Sequence, residues 1–344
     1  MTAMAPLTCR LAVVQHPPVF LNLAKSVERA VTLIRDAVAH GAQCIVFPET
    51  WLPGYPVWLD EAPTAGLWDY APAKALYQVL SDNAITLPGP ELETLRTLAR
   101  EGAATIVMGA HERVGGTLYN TMLFVGADGG YRVHRKVMPT YTERLVWGMG
   151  DGSTLTVLDS PFGRIGGLIC WEHWMPLARA AMHAQREVIH VAQWPGVKDL
   201  HLLASRHYAF EGQCFVAVAG AVLTRGEVLA GFDSLGLGAH PARTLLEAMP
   251  GVHDTMLLRG GSAIVAPDTS YLAGPAPAEA TILYADLDLG SITRGHLALD
   301  VDGHYARPDL FQLTVDDRPQ STVRFASDSA RPADGASIDT PSVG

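Results

Sequence analysis

Three side chains in this sequence are of types that together could do covalent chemistry: Glu49 in Phe47-Pro48-Glu49, Lys136 in His134-Arg135-Lys136, and Cys170 in Gly166-Gly167-Leu168-Ile169-Cys170-Trp171-Glu172-His173. The apolar run Ile165 to Ile169 reads as a buried strand, and the polar and aromatic residues after it cannot continue it. Cys170 therefore stands at a strand end, where α/β folds open onto ligand crevices. Free cysteine is also among the most buried residue types and packs as a small hydrophobe, so position alone leaves both readings open. Glu49 and Lys136 stand at strand ends too. Singly, a glutamate after a strand is a solvated group and a lysine beside Arg135 and His134 is part of a charged face. Together they specify a reaction. A thiol with a reference pKa of about 8.5 is only partly ionised at neutral pH and is activated by an adjacent base or cation. Glu49 could accept its proton, and Lys136 could stabilise the anion formed as sulfur attacks.

Rival chemistries lack their residues. Cys170-x-x-His173 has two of the four ligands of a structural zinc site, with no second Cys/His pair near in sequence. The Cys-x-x-Cys of a dithiol redox site and the Gly-x-Ser-x-Gly of a serine hydrolase are absent. His183, His190, His201 and His207 fall on predicted helices or strands and read as packing or surface groups.

The elements that must position the three residues alternate strand and helix. Cys9 to Gln15 reads as a buried strand; Asn22 can cap a helix with Val27, Ala30, Val31, Ile34, Ala37 and Val38 on one face, ended by Gly41; Cys44 to Phe47 is a second strand stopped by Pro48. The opening is thus β-α-β, with a right-handed crossover. A proline-rich segment with Trp51, Tyr55, Trp58, Trp68 and Tyr70 reads as irregular loop whose aromatics either line a pocket or pack the loop down. A helix from Glu91 to Arg100 precedes strands near Ala104 to Ala110 and Tyr119 to Val125, and the turn Asp128-Gly129-Gly130 leads into Tyr131 to Val137, which delivers Lys136. A second hairpin, Leu155 to Leu158 and Arg164 to Ile169, delivers Cys170. There follow a helix with Leu177, Ala180, Ala181 and Ala184, the strand Val188 to Ala192, a helix from Asp199 to Glu211, the strand Phe215 to Ala219, late strands at Ile264-Val265 and Ile282 to Leu287, and a short helix within Ser291 to Leu299. The alternation specifies helix layers on sheet, and the hairpins point to two sheets.

The whole chain, 344 residues with 48% hydrophobic and 17% charged residues, is long enough for a large buried core. No boundary or repeat divides residues 1–315, which read as one catalytic domain, while 316–344, rich in Asp, Ser, Pro and Ala, read as a disordered or extended tail. A net charge of −10 without a basic cluster excludes a nucleic-acid surface. No apolar run reaches the roughly 20 residues of a membrane span, and Met1 to Thr8 has no charged stretch leading into an apolar one. With four scattered cysteines giving no disulfide framework, the expectation is a cytoplasmic protein with reduced thiols.

The three motifs, in this order, resemble those of the nitrilase superfamily from about Leu11 to Phe311. The resemblance implies an α-β-β-α sandwich of four layers, a Glu-Lys-Cys set at Glu49, Lys136 and Cys170, and a second glutamate at Glu143 in Pro139-Thr140-Tyr141-Thr142-Glu143-Arg144 that positions the lysine and substrate. Cys170-Trp171-Glu172 is similar to the nitrile-hydrolysing branch, as are Gly54-Tyr55-Pro56, Gly148-Met149-Gly150-Asp151-Gly152 and Gly303-His304-Tyr305-Ala306-Arg307-Pro308. His173 departs from it, since asparagine is frequent there. The resemblance further implies a small-molecule nitrile substrate, no metal or organic cofactor, and a homodimer that extends into larger assemblies or spirals. Tyr55, Trp171 and Trp194 are candidates for the pocket wall. An amidase or carbamoylase of the same superfamily, or a scaffold that has lost catalysis, are the alternatives.

Overall fold

The first strand, β1 (Thr8–Gln15), explains the layering. Cys9, Leu11 and Val13 pack into one apolar cluster and Ala12 and Val14 into another, so both of its faces are buried, as in a strand held between layers. The computed structural model describes residues 8–321 and 323. Asn22 caps α1 (Leu23–Ala39) by accepting from the Lys25 N–H, and the chain returns as β2 (Cys44–Val46), parallel to β1. Next come α2 (Trp58–Glu61), α3 (Ala71–Asp82), α4 (Pro90–Gly102), β3 (Thr105–Val114), β4 (Thr117–Val125) and β5 (Tyr131–Arg135). The second half supplies β6 (Leu158–Ser160), β7 (Gly163–Ile169), α5 (Pro176–His183), β8 (Glu187–Gln193), α6 (Asp199–Gly212) and β9 (Phe215–Ala219). It continues with β10 (Val222–Thr224), α7 (Arg225–Asp233), α8 (Pro241–Glu247), β11 (Met256–Arg259), β12 (Ala263–Val265), β13 (Tyr271–Ala273), β14 (Thr281–Asp288) and α9 (Gly290–Gly295).

Two six-stranded sheets result, ordered β14-β1-β2-β3-β4-β5 and β13-β12-β9-β8-β7-β6, with β10 and β11 as a separate pair. Each has a parallel centre, β1-β2-β3 or β7-β8-β9, joined through helices, and antiparallel strands on its flanks. Their facing sides share one core, in which Leu11, Val13, Met122 and Phe124 of the first sheet meet Ile165, Leu168, Val191 and Val218 of the second. α1 and α4 cover the outer face of the first sheet, and Ala178, Met182, Ala204 and Tyr208 of α5 and α6 join the core from the second. This is the four-layer α-β-β-α sandwich expected.

Several details differ from the sequence reading. The stretch after Glu49 contains α2, and α3 follows it with Leu76, Val79 and Leu80 buried; a third cluster joins them to α7 and α8. These helices are short, and their apolar faces are defined by one another rather than by a sheet. In α5, of the residues that marked the helix, Leu177 and Ala180 are exposed, while Ala178, Met182 and His183 point inward. Leu177, Ala178, Ala180, Ala181 and Met182 spread around this eight-residue helix and leave its face ambiguous in the sequence. β6 starts at Leu158, later than expected: Asp151 caps a 3-10 turn over Gly152–Thr154, and 155–157 run from it to the strand outside any regular element. Most of 316–344 lies outside the described residues; within them, Gln320 donates its backbone N–H to Asp151 Oδ2 at 2.8 Å. No described helix is long and apolar enough to cross a membrane.

Candidate active site

Glu49, Lys136 and Cys170 leave three different strands and converge between the sheets. Beyond β2, the Phe47 N–H bonds to the Val107 carbonyl, and the chain passes so close over β3 that a Cβ at Gly109 would stand 2.1 Å from the Pro48 oxygen. Glycine at 109 is what lets Glu49 approach. Gln193 of the opposite sheet donates to the Phe47 carbonyl at 2.8 Å, and this fixes the loop against the second sheet. Lys136 follows β5, its N–H still bonded to the Asn120 carbonyl of β4. Cys170 follows β7 at φ +55, a left-handed turn into the 3-10 segment Cys170–Trp174. Glu143 sits in the 3-10 turn Tyr141–Leu145 and is held there by the Thr140 N–H, 2.6 Å from its Oε2.

All four side chains are buried. Lys136 Nζ donates to Glu49 Oε1 at 2.9 Å and to Glu143 Oε2 at 2.6 Å. The Cys170 sulfur and one oxygen of each glutamate lie within 4.8 Å of one another. Asn120 Nδ2 donates to Glu49 Oε1 at 2.7 Å, and the Tyr55 hydroxyl to Glu143 Oε1 at 3.0 Å. Glu49 Oε2 has no hydrogen-bond partner among the described residues, which leaves that oxygen free to accept a proton. Three ligand-type groups this close resemble a metal cage, but the ammonium of Lys136 already sits between the two carboxylates and supplies the positive charge.

Electrostatics assign the resting protons. Burial raises Glu49 to about 7, with the Lys136 charge opposing and Glu143 adding to the rise. Burial also lifts the Cys170 thiol well above its usual range; Glu49 and Glu143 push the same way, against Lys136 and the Trp171 N–H. Burial acts to lower Lys136, but the charges of Glu49, Cys170 and Glu143 outweigh it and hold its ammonium above the usual range. The ammonium of Lys136 faces two carboxylates, and a free thiolate would add a further negative charge beside them. Moving the thiol proton onto Glu49 adds none. The arrangement can thus pass a proton from sulfur to carboxylate as sulfur attacks, and a base near pH 7 is matched to that transfer.

A second buried pair braces the first. Glu172 accepts from the Val137 N–H at 2.7 Å, the Ile169 N–H at 2.6 Å and His134 Nε2 at 2.8 Å. One carboxylate therefore clamps the segment after Lys136 to the segment before Cys170. Burial opposes its charge, yet His134 and the two N–H groups hold Glu172 below the usual carboxylate range. Asn120 has no counterpart in the sequence reading. A polar amide inside the apolar run Leu118 to Val125 was the available signal, because a buried amide needs a partner.

A cavity of about 760 Å³ opens over Cys170 and Glu143, with Tyr55 and Trp171 in its wall and Lys198 and Arg259 farther along its lining. Trp194 does not line it. This side chain is fully buried behind the site, stacked between His173 and His201 at ring-centroid distances of 4.9 and 4.3 Å.

Comparison with known proteins identifies the family. The family described as carbon-nitrogen hydrolase matches residues 10–296. A nitrilase of Bradyrhizobium diazoefficiens is 42% identical over 94% of this chain and 96% of its own. A bifunctional nitrilase/nitrile hydratase of Lupinus angustifolius is 38% identical over 94% of this chain and 90% of its own. Among solved structures, a Saccharomyces cerevisiae member of branch 10 of the nitrilase superfamily superposes with a TM-score of 0.62 at 18% identity, covering 87% of this chain and 97% of that one, which bears on the fold alone.

Proposed function

The chain belongs to the carbon-nitrogen hydrolase family, among its nitrilases, and from that premise we propose that it converts a nitrile and two waters to a carboxylic acid and ammonia through a covalent intermediate on Cys170. The observation that carries the proposal is the buried cluster in which Lys136 bridges Glu49 and Glu143 beside the Cys170 sulfur. Glu49 takes the thiol proton as sulfur adds to the nitrile carbon, and the nitrogen receives that proton to give a thioimidate. Water adds to the C=N bond. Lys136 and the Trp171 backbone N–H stabilise the tetrahedral adduct, whose nitrogen already carries two hydrogens, one from the thiol and one from the water; it takes a third from the adduct's hydroxyl, which becomes the thioester carbonyl, and leaves as ammonia. The remaining thioester takes up a second water, releases the acid and returns the proton to sulfur. Glu143 holds Lys136 in place through a charge-assisted hydrogen bond.

Acid is the expected main product. Expulsion of ammonia needs a protonated nitrogen, and the carboxylates Glu49 and Glu143 favour that cation over a leaving thiolate. If carbon–sulfur cleavage comes first, the amide leaves instead, and the name of the Lupinus relative gives that path a precedent in the family. Tyr55 and Trp171 would contact the substrate from the cavity wall. Residues 1–315 act as one catalytic unit, and assembly into a homodimer or larger spiral belongs to the same proposal. Exposed Leu177 on α5 and Leu203 and Phe210 on α6 support it, and sedimentation velocity reads it directly. The function itself is tested by ammonia release from a panel of aliphatic, aromatic and arylacetonitrile substrates. Turnover of at least one with acid as product supports it, and turnover of free amides faster than of their matching nitriles overturns it in favour of an amidase.

A further inference from the structure

Behind Cys170, on the side away from the cavity, runs a line of buried polar groups that the proposed chemistry does not use. His173 Nδ1 lies 2.7 Å from the Cys170 carbonyl oxygen and its Nε2 lies 3.0 Å from His190 Nε2. His190 Nδ1 lies 2.9 Å from Glu187 Oε1, and the Tyr208 hydroxyl donates to Glu187 Oε2. All four side chains are buried. The ring of Tyr208 stacks on His190 at 3.6 Å between centroids, and that of His173 on Trp194. The sequence makes room for the array: a Cβ at Gly166 would stand 2.0 Å from Glu187 Oε1.

The direction of every hydrogen bond follows from the carbonyl end. A carbonyl only accepts, so His173 Nδ1 carries a hydrogen. Burial, reinforced by His190, holds His173 down to about 3, so the ring is neutral and its Nε2 is bare. A bare nitrogen accepts, and His190 Nε2 must donate to it. Burial keeps His190 neutral as well, which leaves its Nδ1 bare, so Glu187 donates as a protonated carboxyl; burial raises that group to about 7. The last acceptor in the line is the carbonyl of a non-glycine residue in a left-handed turn, a conformation that persists only where its surroundings fix it.

We propose that Glu187, His190 and His173 form a one-way donor relay to the Cys170 carbonyl, and that they are positioning residues which keep the Cys170 sulfur and the Trp171 N–H aimed into the cavity. The relay rests on Cys170 being the nucleophile, as proposed above.

Glutamine at 187 preserves the relay, since its amide N–H donates to His190 and its oxygen accepts from Tyr208. Glu187→Met removes the donor at similar size, and His173→Phe removes the last link. The full-length variants are compared by kcat and KM on one accepted nitrile, and by the rate at which iodoacetamide alkylates Cys170, read by peptide mass. Glu187→Gln is expected within about threefold of the parent in both readouts. Glu187→Met and His173→Phe are expected to lose about tenfold or more in kcat with KM within twofold, and to slow alkylation by a similar factor, the scale of losses when a group that orients a reactive side chain is removed. Should one of these two not fold, judged by its melting curve, the other is read beside Glu187→Gln. Parental kcat and alkylation in a folded Glu187→Met or His173→Phe would overturn the relay, and so would an equal loss in Glu187→Gln and Glu187→Met. Alkylation needs no nitrile turnover, so failure of the hydrolase reading leaves the relay test standing.

Discussion

Glu143→Gln isolates the charge that holds Lys136. The glutamate accepts three hydrogen bonds, from Lys136 Nζ, the Thr140 N–H and the Tyr55 hydroxyl. Glutamine keeps the shape: its oxygen can still face Lys136 and Thr140, while its amide donates to a turned Tyr55 hydroxyl. What disappears is the negative charge. A hydrogen bond to a charged group contributes about 1.5–3 kcal/mol against about 0.5–1.5 for a neutral one, so fixing the ammonium loses on the order of 1–2 kcal/mol, or about 5- to 30-fold in kcat/KM. A second effect has its own sign. Glu143 is one of the charges that raise Glu49, so its neutralisation lets Glu49 fall from about 7 toward the ordinary carboxylate range. Glu49 works as a base only when ionised. Activity in the parent therefore rises with pH through about 7, and in Glu143→Gln that acid limb moves to lower pH while the plateau drops. Ammonia release measured as kcat/KM between about pH 5 and pH 9 resolves both effects. A parental plateau, or an acid limb that stays or moves upward, would refute the reasoning.

Further outcomes are expected at the same site. Cys170→Ala abolishes turnover with the melting temperature nearly unchanged, whereas Ala at Cys9, Cys44 or Cys214, all buried outside the Glu49–Glu143–Cys170 cluster, leaves measurable kcat; the reverse pattern would mean another sulfur acts. Glu49→Gln lowers kcat by about 10²–10⁴, the usual contribution of a general base, and a loss below tenfold would remove it from that role. Glu172→Gln breaks a buried ion pair and costs on the order of 3–5 kcal/mol by denaturant unfolding; an unchanged midpoint would contradict the clamp. Because Glu172 is depressed and His134 raised, that pair contributes above about pH 4.5, is lost as pH falls through the folded Glu172 value, and weakens again as pH rises through that of His134. Chromatography of the products from one accepted nitrile should give acid in excess of amide, and amide as the main product would reverse the assignment of the leaving group.

How much of this could be read from the chain depends on where each partner sits. Glu49, Lys136 and Cys170 each end an apolar run with a polar residue, and such breaks are local. The strands behind them were equally legible: Phe215–Ala219 lies where its pattern placed it, and Cys44 and Ile282 start or enter strands as expected. The partner of Asn120 and the His134–Glu172 clamp were not legible, because Glu49 follows β2, two strands away from Asn120, and Glu172 follows a strand of the opposite sheet. Trp194 misled for a related reason. It follows a strand end as Cys170 does, yet the chain turns it behind the site against His173 and His201. Glu143 became visible only through a motif, since a glutamate in a short turn carries no periodic signal of burial.

The central claim is a covalent bond between substrate carbon and the Cys170 sulfur. Acid quenching of the protein during turnover of an accepted nitrile, followed by mass analysis of the peptide containing Cys170, should find that peptide heavier by the acyl or imidoyl group of the substrate, and the adduct should vanish once substrate is exhausted. Steady turnover with Cys170 unmodified throughout, or with the adduct on Cys9, Cys44 or Cys214, would contradict the account.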